Sequence, residues 1–517
     1  MQRMNRKISS WGAFGTLLVT ALVIGGCQKF LDRKPLTATL EDLNQGGLEG
    51  QIYGLYGAIR NGDVAGQAFG GIPWLGINGF RSEDAEKGSS ASDGADWGVI
   101  YDQFQYVKDH WSNTIYWDQH YVLIGQANTA IQIADSLGLH DPASKTNRGE
   151  AYFFRAYAYL DLVRTFGQVP KIDYRVYSAI DAQKPKAPES EIYALIDKDL
   201  DSAIAYLPLN WNNASGTSRF PGRLTRGAAQ ALKARALMHR AISNISPNWS
   251  GALSLCQSVI SSNQYTLTPS FAKIWTNEGE NNFESIFEIQ ASIGANGADS
   301  YTSWYAIAQG VRGSGDWDLG WGWNTPTETL VNAWSNDDPR KNSSILYSGQ
   351  QDGLYGKTLP DVPTIPRKYW NKKVYPEPSQ QTFTGSRQGG WINQRCIRYA
   401  DVLLMAAEAA NEIGGSANNK LAEDYLEMVR ARARGGNNAV LPKIVWTSQS
   451  QMRTAIQNER RFELALEGDR FFDLVRWGQA ITVLGPQGYQ NKHRYYPIPQ
   501  QAIDNSGGKL VQNPDWQ

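Results

Sequence analysis

Residues 458–478 read Asn-Glu-Arg-Arg-Phe-Glu-Leu-Ala-Leu-Glu-Gly-Asp-Arg-Phe-Phe-Asp-Leu-Val-Arg-Trp-Gly and mix large apolar side chains with dense charge of both signs. Glu459, Glu463 and Glu467 recur every four residues and therefore share one face of a helix. Like charges at this spacing repel by roughly 0.2–0.5 kcal/mol per pair in an isolated helix. The row is stable only where cations from other segments meet it. We expect those segments to pack around this stretch, and Gly468 to divide it into two helices.

The composition excludes several classes of protein. The 517-residue chain has no formal net charge, so nothing favours nucleic acid as a partner. Three cysteines cannot form a disulfide framework. Five scattered histidines and the lack of HExxH or CxxC give a zinc site little support, and we expect no metal and no cofactor. The 18 tryptophans are unusual, because indole rings are used where flat apolar area is needed.

Residues 1–26 are typical of an export signal. Arg3, Arg6 and Lys7 precede a charge-free stretch from 11 to 26, which is short of the roughly 20 apolar residues of a transmembrane helix. Residues 22–27, Leu-Val-Ile-Gly-Gly-Cys, resemble the lipobox of bacterial lipoproteins. This motif predicts cleavage before Cys27 and attachment of lipid to that residue. Acyl chains there would anchor the protein stably, since each buried methylene adds about 0.8 kcal/mol. An ordinary secretory signal that contains a cysteine is the alternative.

Apolar periodicity predicts a mainly α-helical scaffold over about 40–60, 113–261 and 395–480. A strong amphipathic helix is expected from 148 to Gly167, and Thr225 can cap another that reaches Ser243. Alanine-lined faces in this second helix allow close approach and resemble tetratricopeptide-type helical pairs. The helix starts near 148, 188 and 225 are unevenly spaced, so we expect divergent rather than strict repeats.

Two loop-rich segments, about 61–112 and 266–394, interrupt the helical pattern. They are rich in Gly, Asp and Asn and hold many of the tryptophans. Loops of this length are usually functional or disordered, and their aromatic content argues against disorder. We therefore expect them to form the binding half of the molecule.

Several separated segments carry a resemblance to one family. Residues 27–35, Cys-Gln-Lys-Phe-Leu-Asp-Arg-Lys-Pro, are similar to the mature start of the SusD/RagB outer-membrane nutrient-binding lipoproteins of Bacteroidetes-type bacteria. Residues 155–170, 326–340 and 398–409 also fit, as do the opening stretch and Tyr-Pro-Ile-Pro at 496–499. Ordered, separated matches are more specific than any single motif.

The resemblance implies a single SusD-like domain over 27–517, with a tetratricopeptide-like scaffold under a loop-rich half. It implies a lipid-anchored, surface-exposed outer-membrane protein that delivers nutrient to a SusC-like TonB-dependent transporter. Family members capture glycans, some capture peptides, and none is catalytic. An oligosaccharide is the expected ligand here, and a peptide is the alternative.

The loop aromatics are the candidate ligand contacts, because pyranose rings stack their C–H faces on indole while Asp, Asn or Arg bind the hydroxyls. Polar side chains at Asp93, Asp96, Asp316 and Asp318 could serve the same purpose. A buried core is the alternative for any single tryptophan. The candidate ligand-binding residues are Trp74, Arg81, Asp84, Trp97, Tyr301, Trp304, Trp317, Trp321, Trp323 and Asn324.

The row of glutamates has two interpretations. Two of them would lie at a separation that suits a glycosidase pair. Arg460, Arg461, Arg470 and Arg476 are close in sequence, and cations lower carboxylate pKa values, whereas a general acid needs a raised one. We therefore favour a structural charge network, with partners from other elements. Its expected members are Glu459, Glu463, Glu467, Arg470 and Arg398.

Overall fold

The computed structural model describes residues 47–60, 67–212, 215–216, 218, 220–294 and 301–517. The predicted signal peptide and Cys27 lie outside these residues. Residues Leu48–Gln517 form one compact unit. Among the described residues, no helix combines the length and apolarity needed to cross a bilayer.

Long helices make up the scaffold, and the prediction of a mainly α-helical fold is confirmed. Their bounds lie within a few residues of those expected from apolar periodicity, except that α3 begins six residues earlier than predicted and the predicted start of α1, near residue 40, lies outside the described residues. The long helices are α1 Gly47–Arg60, α2 Trp111–Ser136, α3 Pro142–Phe166, α4 Glu189–Tyr206, α5 Arg226–His239, α6 Trp249–Ser261, α7 Tyr399–Ile413, α8 Ser416–Arg434 and α9 Gln449–Glu463.

Local chemistry sets the ends of these helices. Asp141 caps α3 by accepting the N–H of Ser144 at 3.1 Å. Gly167 ends α3 with φ +74°, a conformation that glycine adopts without strain. Thr225 caps α5 as predicted. A 3₁₀ turn, Arg240–Ser243, continues the chain from the end of α5.

Consecutive helices pack as neighbours. Helix α3 lies between α2 and α4, α5 packs on α4 and α6, and α6 also packs on α7. The alanines of α5 are fully buried, which permits these close contacts. The apolar core therefore runs through the helical layer and continues under the loops.

Short helices and strand pairs occupy the loop-rich segments, the α3–α4 connection and the C-terminal region. The short helices are Ile72–Trp74, Ala95–Trp97, Ala179–Ala182, Trp304–Gln309, Glu328–Ala333, Pro339–Ser344, Arg470–Arg476, Ala480–Leu484 and Gln500–Asp504. The strands are β1 Ala85–Gly88, β2 Val169–Pro170, β3 Lys186–Ala187, β4 Ser285–Ile289, β5 Trp323–Pro326, β6 Ile345–Tyr347, β7 Tyr369–Asn371 and β8 Gln394–Arg398. They pair antiparallel as β1–β5, β2–β3, β4–β8 and β6–β7.

Gly468 lies at the predicted break between two helices. Helix α9 already ends at Glu463, and the next short helix begins at Arg470. Gly468 has φ +94°, and a Cβ built on it would come within 2.3 Å of the Trp74 ring. The break thus needs glycine both for its backbone angle and for the tryptophan packed against it.

Candidate functional site

The β1–β5 pair brings the two loop-rich segments together. Gly88 lies opposite Trp323 in this pair. The N–H of Ser89 donates to the carbonyl of Gly322 at 2.6 Å and extends the contact beyond the strands. The loop that follows β1 is therefore held against the tryptophan-rich segment.

A surface cleft of about 550 Å³ opens where these segments meet. Trp321 lines this cleft. Its backbone N–H donates to the carbonyl of Ile307 at 3.0 Å and holds the residue in place. The ring of Trp304 lies 5.6 Å from that of Trp321, with 41° between the planes, and both side chains are partly exposed. The cleft is lined by Ile72, Asp93, Arg312, Gly313, Asp318, Gly320, Trp321 and Trp323.

Asp93 carries the charge of one wall. Its carboxylate accepts the Ser89 hydroxyl at 2.8 Å, the Arg312 guanidinium at 2.5 Å and the Trp323 indole N–H at 2.9 Å. Burial alone would raise the pKa of Asp93, but these three groups together hold it below its usual value. The carboxylate stays ionised, and 29% of the side chain remains exposed.

Arg312 and Asp318 lie next to each other through an antiparallel bridge of their backbones. The amide of Gln388 donates to Asp318 at 2.9 Å and adds a neutral polar group. Arg312 keeps 41% of its side chain exposed. The cleft therefore combines partly exposed indole faces with hydrogen-bond donors and acceptors, which suits a polyhydroxylated ring.

Four of the predicted ligand residues reach the surface. Trp321 lines the cleft, and the ring of Trp304 lies beside that of Trp321. Trp317 is partly exposed but packs against a small apolar cluster beneath the loops. Tyr301 is 42% exposed, and the Arg60 guanidinium lies 3.8 Å from its ring centroid. The structure therefore brings together two of the four.

The other six predicted ligand residues are buried, which changes their interpretation. Each is at most 6% exposed and so offers little surface to a sugar in this conformation, although Trp323 still borders the cleft. Trp323 and Trp97 pack on each other under the cleft. Trp74 packs edge-to-face against Tyr305, and Gly468 lies close to its ring. These rings support the cleft from below.

The polar members of that buried set are held by protein partners. The Arg81 guanidinium donates to the carbonyl of Ile77 at 2.7 Å and lies over the Phe471 ring. Asp84 pairs with Arg461 at 2.5 Å. Asn324 donates to Gln309 at 2.6 Å. Ion pairing and hydrogen bonding bury these groups, so they position the loops instead of lining the cleft.

Arg312, Gln388 and Ile72 line or border the cleft and were not among the predicted residues. Arg312 stands before Gly-Ser-Gly at 313–315, where a flexible loop next to tryptophans is the one available signal. Gln388 reaches Asp318 from 70 residues away, a contact that local sequence does not encode. Ile72 begins a three-residue helix too short to be predicted by periodicity.

The predicted charge network lies in the interior, apart from the cleft. The fully buried Glu463 accepts bonds from Arg340 at 3.0 Å, Arg398 at 3.0 Å and Arg432 at 2.6 Å. Arg340 also binds Glu459 at 2.5 Å. Glu467 pairs with Lys373 at 2.6 Å and with Arg398 at 2.8 Å, while Arg470 pairs with Glu83. Because α9 ends at Glu463, Glu467 lies beyond the predicted helical face, and the network connects residues 459–470 to both loop-rich segments.

These cations decide the protonation of Glu463. Burial would raise the pKa of Glu463, but Arg432, Arg398 and Arg340 hold it far below its usual value. A carboxylate in this state cannot supply a proton as a general acid does. Among the described residues, no group of three His, Cys, Asp or Glu side chains is arranged to hold a metal ion.

Comparison with known proteins decides the family. A SusD-like protein, P2, of Formosa agariphila is 30% identical over 431 residues, covering 78% of this chain and 80% of the relative. The chain belongs to the SusD family. The family model described as "SusD family" matches residues 283–494, and the one described as "Starch-binding associating with outer membrane" matches 66–238. The resemblance found in the sequence is thereby confirmed.

Solved SusD-like structures share the fold. A laminarin-binding SusD-like protein is 25% identical with a TM-score of 0.72, covering 90% of this chain and 98% of its own. The surface glycan-binding protein A of Bacteroides thetaiotaomicron, solved with laminarihexaose, is 22% identical with a TM-score of 0.70 over the same shares. A SusD homologue of that organism reaches a TM-score of 0.76 at 20% identity, with 93% and 99% covered.

Proposed function

We propose that this SusD-family protein captures an oligosaccharide in the cleft beside Trp304 and Trp321. The observation that carries the proposal is the pair of partly exposed indoles next to Asp93, Arg312 and Asp318. The indoles provide flat apolar faces, and the charged groups provide hydrogen bonds at the ring edge. Binding needs no covalent chemistry, and we propose that the protein is not an enzyme.

The solved relatives supply a first ligand to try. One of them binds laminarin and another was solved with laminarihexaose. Both sugars are β-1,3-glucans. We propose a neutral glucan of this kind as the first probe. Ligand released from such a cleft would pass to a SusC-like TonB-dependent transporter, with the protein held on the outer membrane by a lipid on Cys27.

Calorimetry with a ligand panel tests the binding site. The panel contains laminarihexaose, maltohexaose, xylohexaose and a set of hexapeptides. We expect heat with at least one glycan, and a loss of affinity of tenfold or more in Trp304→Ala and Trp321→Ala. Tyr177→Ala is the matched control, since its ring is 45% exposed on the α3–α4 connection, outside the lining of the cleft. Heat with the peptides alone would overturn the proposal.

Two further experiments test anchoring and delivery. Cys27→Ala should shift the protein from the outer-membrane fraction to the soluble fraction, and it should abolish incorporation of labelled palmitate. Co-expression with the SusC-like transporter encoded nearest in the genome should yield a complex that survives purification in mild detergent. A protein that stays in the membrane fraction after Cys27→Ala contradicts the anchor, and a transporter that purifies alone contradicts the partnership.

A further inference from the structure

A second cleft, of about 410 Å³, lies between the α4–α5 connection and the turn before β4. Trp211 and Phe220 line it from the α4–α5 connection. Tyr265 and Phe283 line it from the segment between α6 and β4. It shares no lining residue with the cleft at Trp321.

The aromatic side chains of this second cleft are unusually exposed. Phe283 is 75% exposed and Phe220 is 41% exposed, although burial is the rule for phenylalanine. The rings of Trp211 and Phe220 meet edge to face at 5.4 Å. The Trp211 indole N–H donates to the carbonyl of Leu224 at 2.8 Å, which fixes the ring. The cleft thus combines a fixed indole with phenylalanine rings that are open to solvent.

Side-chain amides line the same cleft. Asn210 donates to Gln264 at 2.7 Å. Asn281 is held by Gln290, which lies outside the lining, through reciprocal bonds of 2.8 and 3.0 Å. The amides of Asn210, Gln264 and Asn281 have further hydrogen-bonding capacity beyond these contacts, whereas that of Gln290 is fully used by Asn281, Glu288 and Asn393. Fixed amides provide both donors and acceptors, which is what the hydroxyl groups of a sugar require.

The two ionic side chains of the lining are occupied by the protein. Arg223 binds Glu150 and Glu49 at 2.9 and 2.8 Å, and only 6% of its side chain is exposed. Glu288 is buried and accepts bonds from the backbone of Asn281 and, at 2.8 Å, from the amide of Asn393. The cleft therefore presents aromatic faces and neutral polar groups, but no free charge among its described residues.

We propose that this second cleft is an additional carbohydrate-binding site for a neutral glycan. The inference rests on the proposed function only in taking the ligand to be the same class of molecule. Two separate sites on one protein retain a long polysaccharide more strongly than either site alone, because the second contact is intramolecular once the first has formed. A short oligosaccharide gains no such advantage.

Affinity electrophoresis through gels containing laminarin, amylose or xylan tests this site, with hexaose titrations in parallel. We expect Phe220→Ala/Phe283→Ala to lower retention by the polysaccharide three- to tenfold while hexaose affinity at the Trp321 cleft stays unchanged. The Trp304→Ala/Trp321→Ala variant should keep weak polysaccharide retention. Adding Phe220→Ala and Phe283→Ala to that variant should abolish it. The single variant Phe283→Ala guards against misfolding, since that side chain is largely in solvent. Ile180→Ala, 71% exposed elsewhere, is the control.

The outcomes separate the two sites. Loss of binding in the tryptophan variants with no effect of the phenylalanine variants overturns the second site and leaves the proposed function intact. The reverse pattern makes the second cleft the glycan site and overturns the assignment to Trp321. No retention of the unaltered protein by any glycan overturns both. Unchanged glycan retention with loss of transporter co-purification identifies the second cleft as a protein-binding surface and overturns this proposal.

Discussion

At the scale of single residues, the surroundings of a tryptophan decide what its ring does. Trp321 is held by its backbone and keeps part of its ring exposed. Trp323, two residues later, is buried, and its indole N–H donates to the Asp93 carboxylate. The buried ring of Trp323 thereby fixes the Asp93 carboxylate, which lines the same cleft as the partly exposed Trp321. Trp323 contributes to the cleft by positioning Asp93.

His493 provides a residue-level prediction on pH. It is 4% exposed, and burial, with Lys492 and Arg81 nearby, lowers its pKa from 6.5 to about 4. The folded protein keeps His493 neutral between these pH values, while the unfolded chain takes up a proton. Its contribution to stability is therefore complete above pH 6.5 and is lost as the pH falls toward 4, by roughly 1–3 kcal/mol.

Urea unfolding of His493→Asn at pH 7 and pH 4.5 measures this effect. The Asn side chain can still accept the N–H of Gln490, which His493 accepts at 2.8 Å. We expect the variant to lose less stability than the unaltered protein between the two pH values. Equal losses would show that His493 does not titrate in this range.

At the scale of elements, Gly468 separates α9 from the short helix Arg470–Arg476. Gly468→Ala forces an L-residue into φ +94° and drives its Cβ into the Trp74 ring. Strain and overpacking together should cost about 2–5 kcal/mol in the free energy of unfolding. Gly478→Ala is the control, because that glycine has φ +70° but open space around it, and it should cost only about 1–2 kcal/mol. Similar costs for both would mean that the Trp74 contact yields freely.

The glutamate face of α9 gives the second element-level prediction. Glu463→Gln leaves Arg340, Arg398 and Arg432 without a shared counter-charge, which should lower the free energy of unfolding by about 3–5 kcal/mol. Glycan affinity of the folded variant should stay within twofold, since Glu463 does not line the cleft.

Asp424→Asn is the matched control for that change. It removes an exposed carboxylate that pairs with Lys420, and such pairs contribute about 0–1 kcal/mol. Denaturant midpoints give stability, and calorimetry gives affinity. Lost affinity at preserved stability in Glu463→Gln would make the glutamate face part of the binding site.

Periodicity was sufficient to predict the helices but not the surface of the loops. Helices such as α4 show an apolar stripe whose spacing reports burial directly. Burial of Asp84 depends on Arg461, 377 residues further along the chain. Local sequence therefore predicts which segments form the binding half. It does not predict which rings stay exposed, because burial there depends on contacts with residues far along the chain.

At the scale of the whole molecule, the C-terminal segment closes the helical layer. The N–H of Tyr496 donates to the carbonyl of Thr165 at 2.7 Å, and Asn513 donates to that of Phe166 at 2.9 Å. The Tyr496 ring is fully buried against Tyr106. The last turn of α3 therefore depends on residues more than 300 positions later.

Truncation tests this dependence. A chain ending at Arg494 lacks the segment that packs on the end of α3, and its loss exposes the ring of Tyr106 that contacts Tyr496. We expect this chain to accumulate as insoluble protein or to melt at least about 10 °C lower. A chain ending at Asn513 keeps both hydrogen bonds and should melt within a few degrees of the full chain. Thermal unfolding followed by circular dichroism provides the comparison. Equal melting of the two truncated chains would show that the segment is dispensable.

The order of charge partners along the chain constrains when folding can finish. Several buried ions of the first two-thirds of the chain meet counter-charges that lie at or beyond Arg398. The pairs are Asp84 with Arg461, Arg235 with Asp401, Glu284 with Arg398, and Arg340 with Glu459. A nascent chain that lacks these partners would have to bury unpaired charge, which costs several kcal/mol per ion. The native arrangement of these buried ions therefore cannot form before Arg461 has joined the chain.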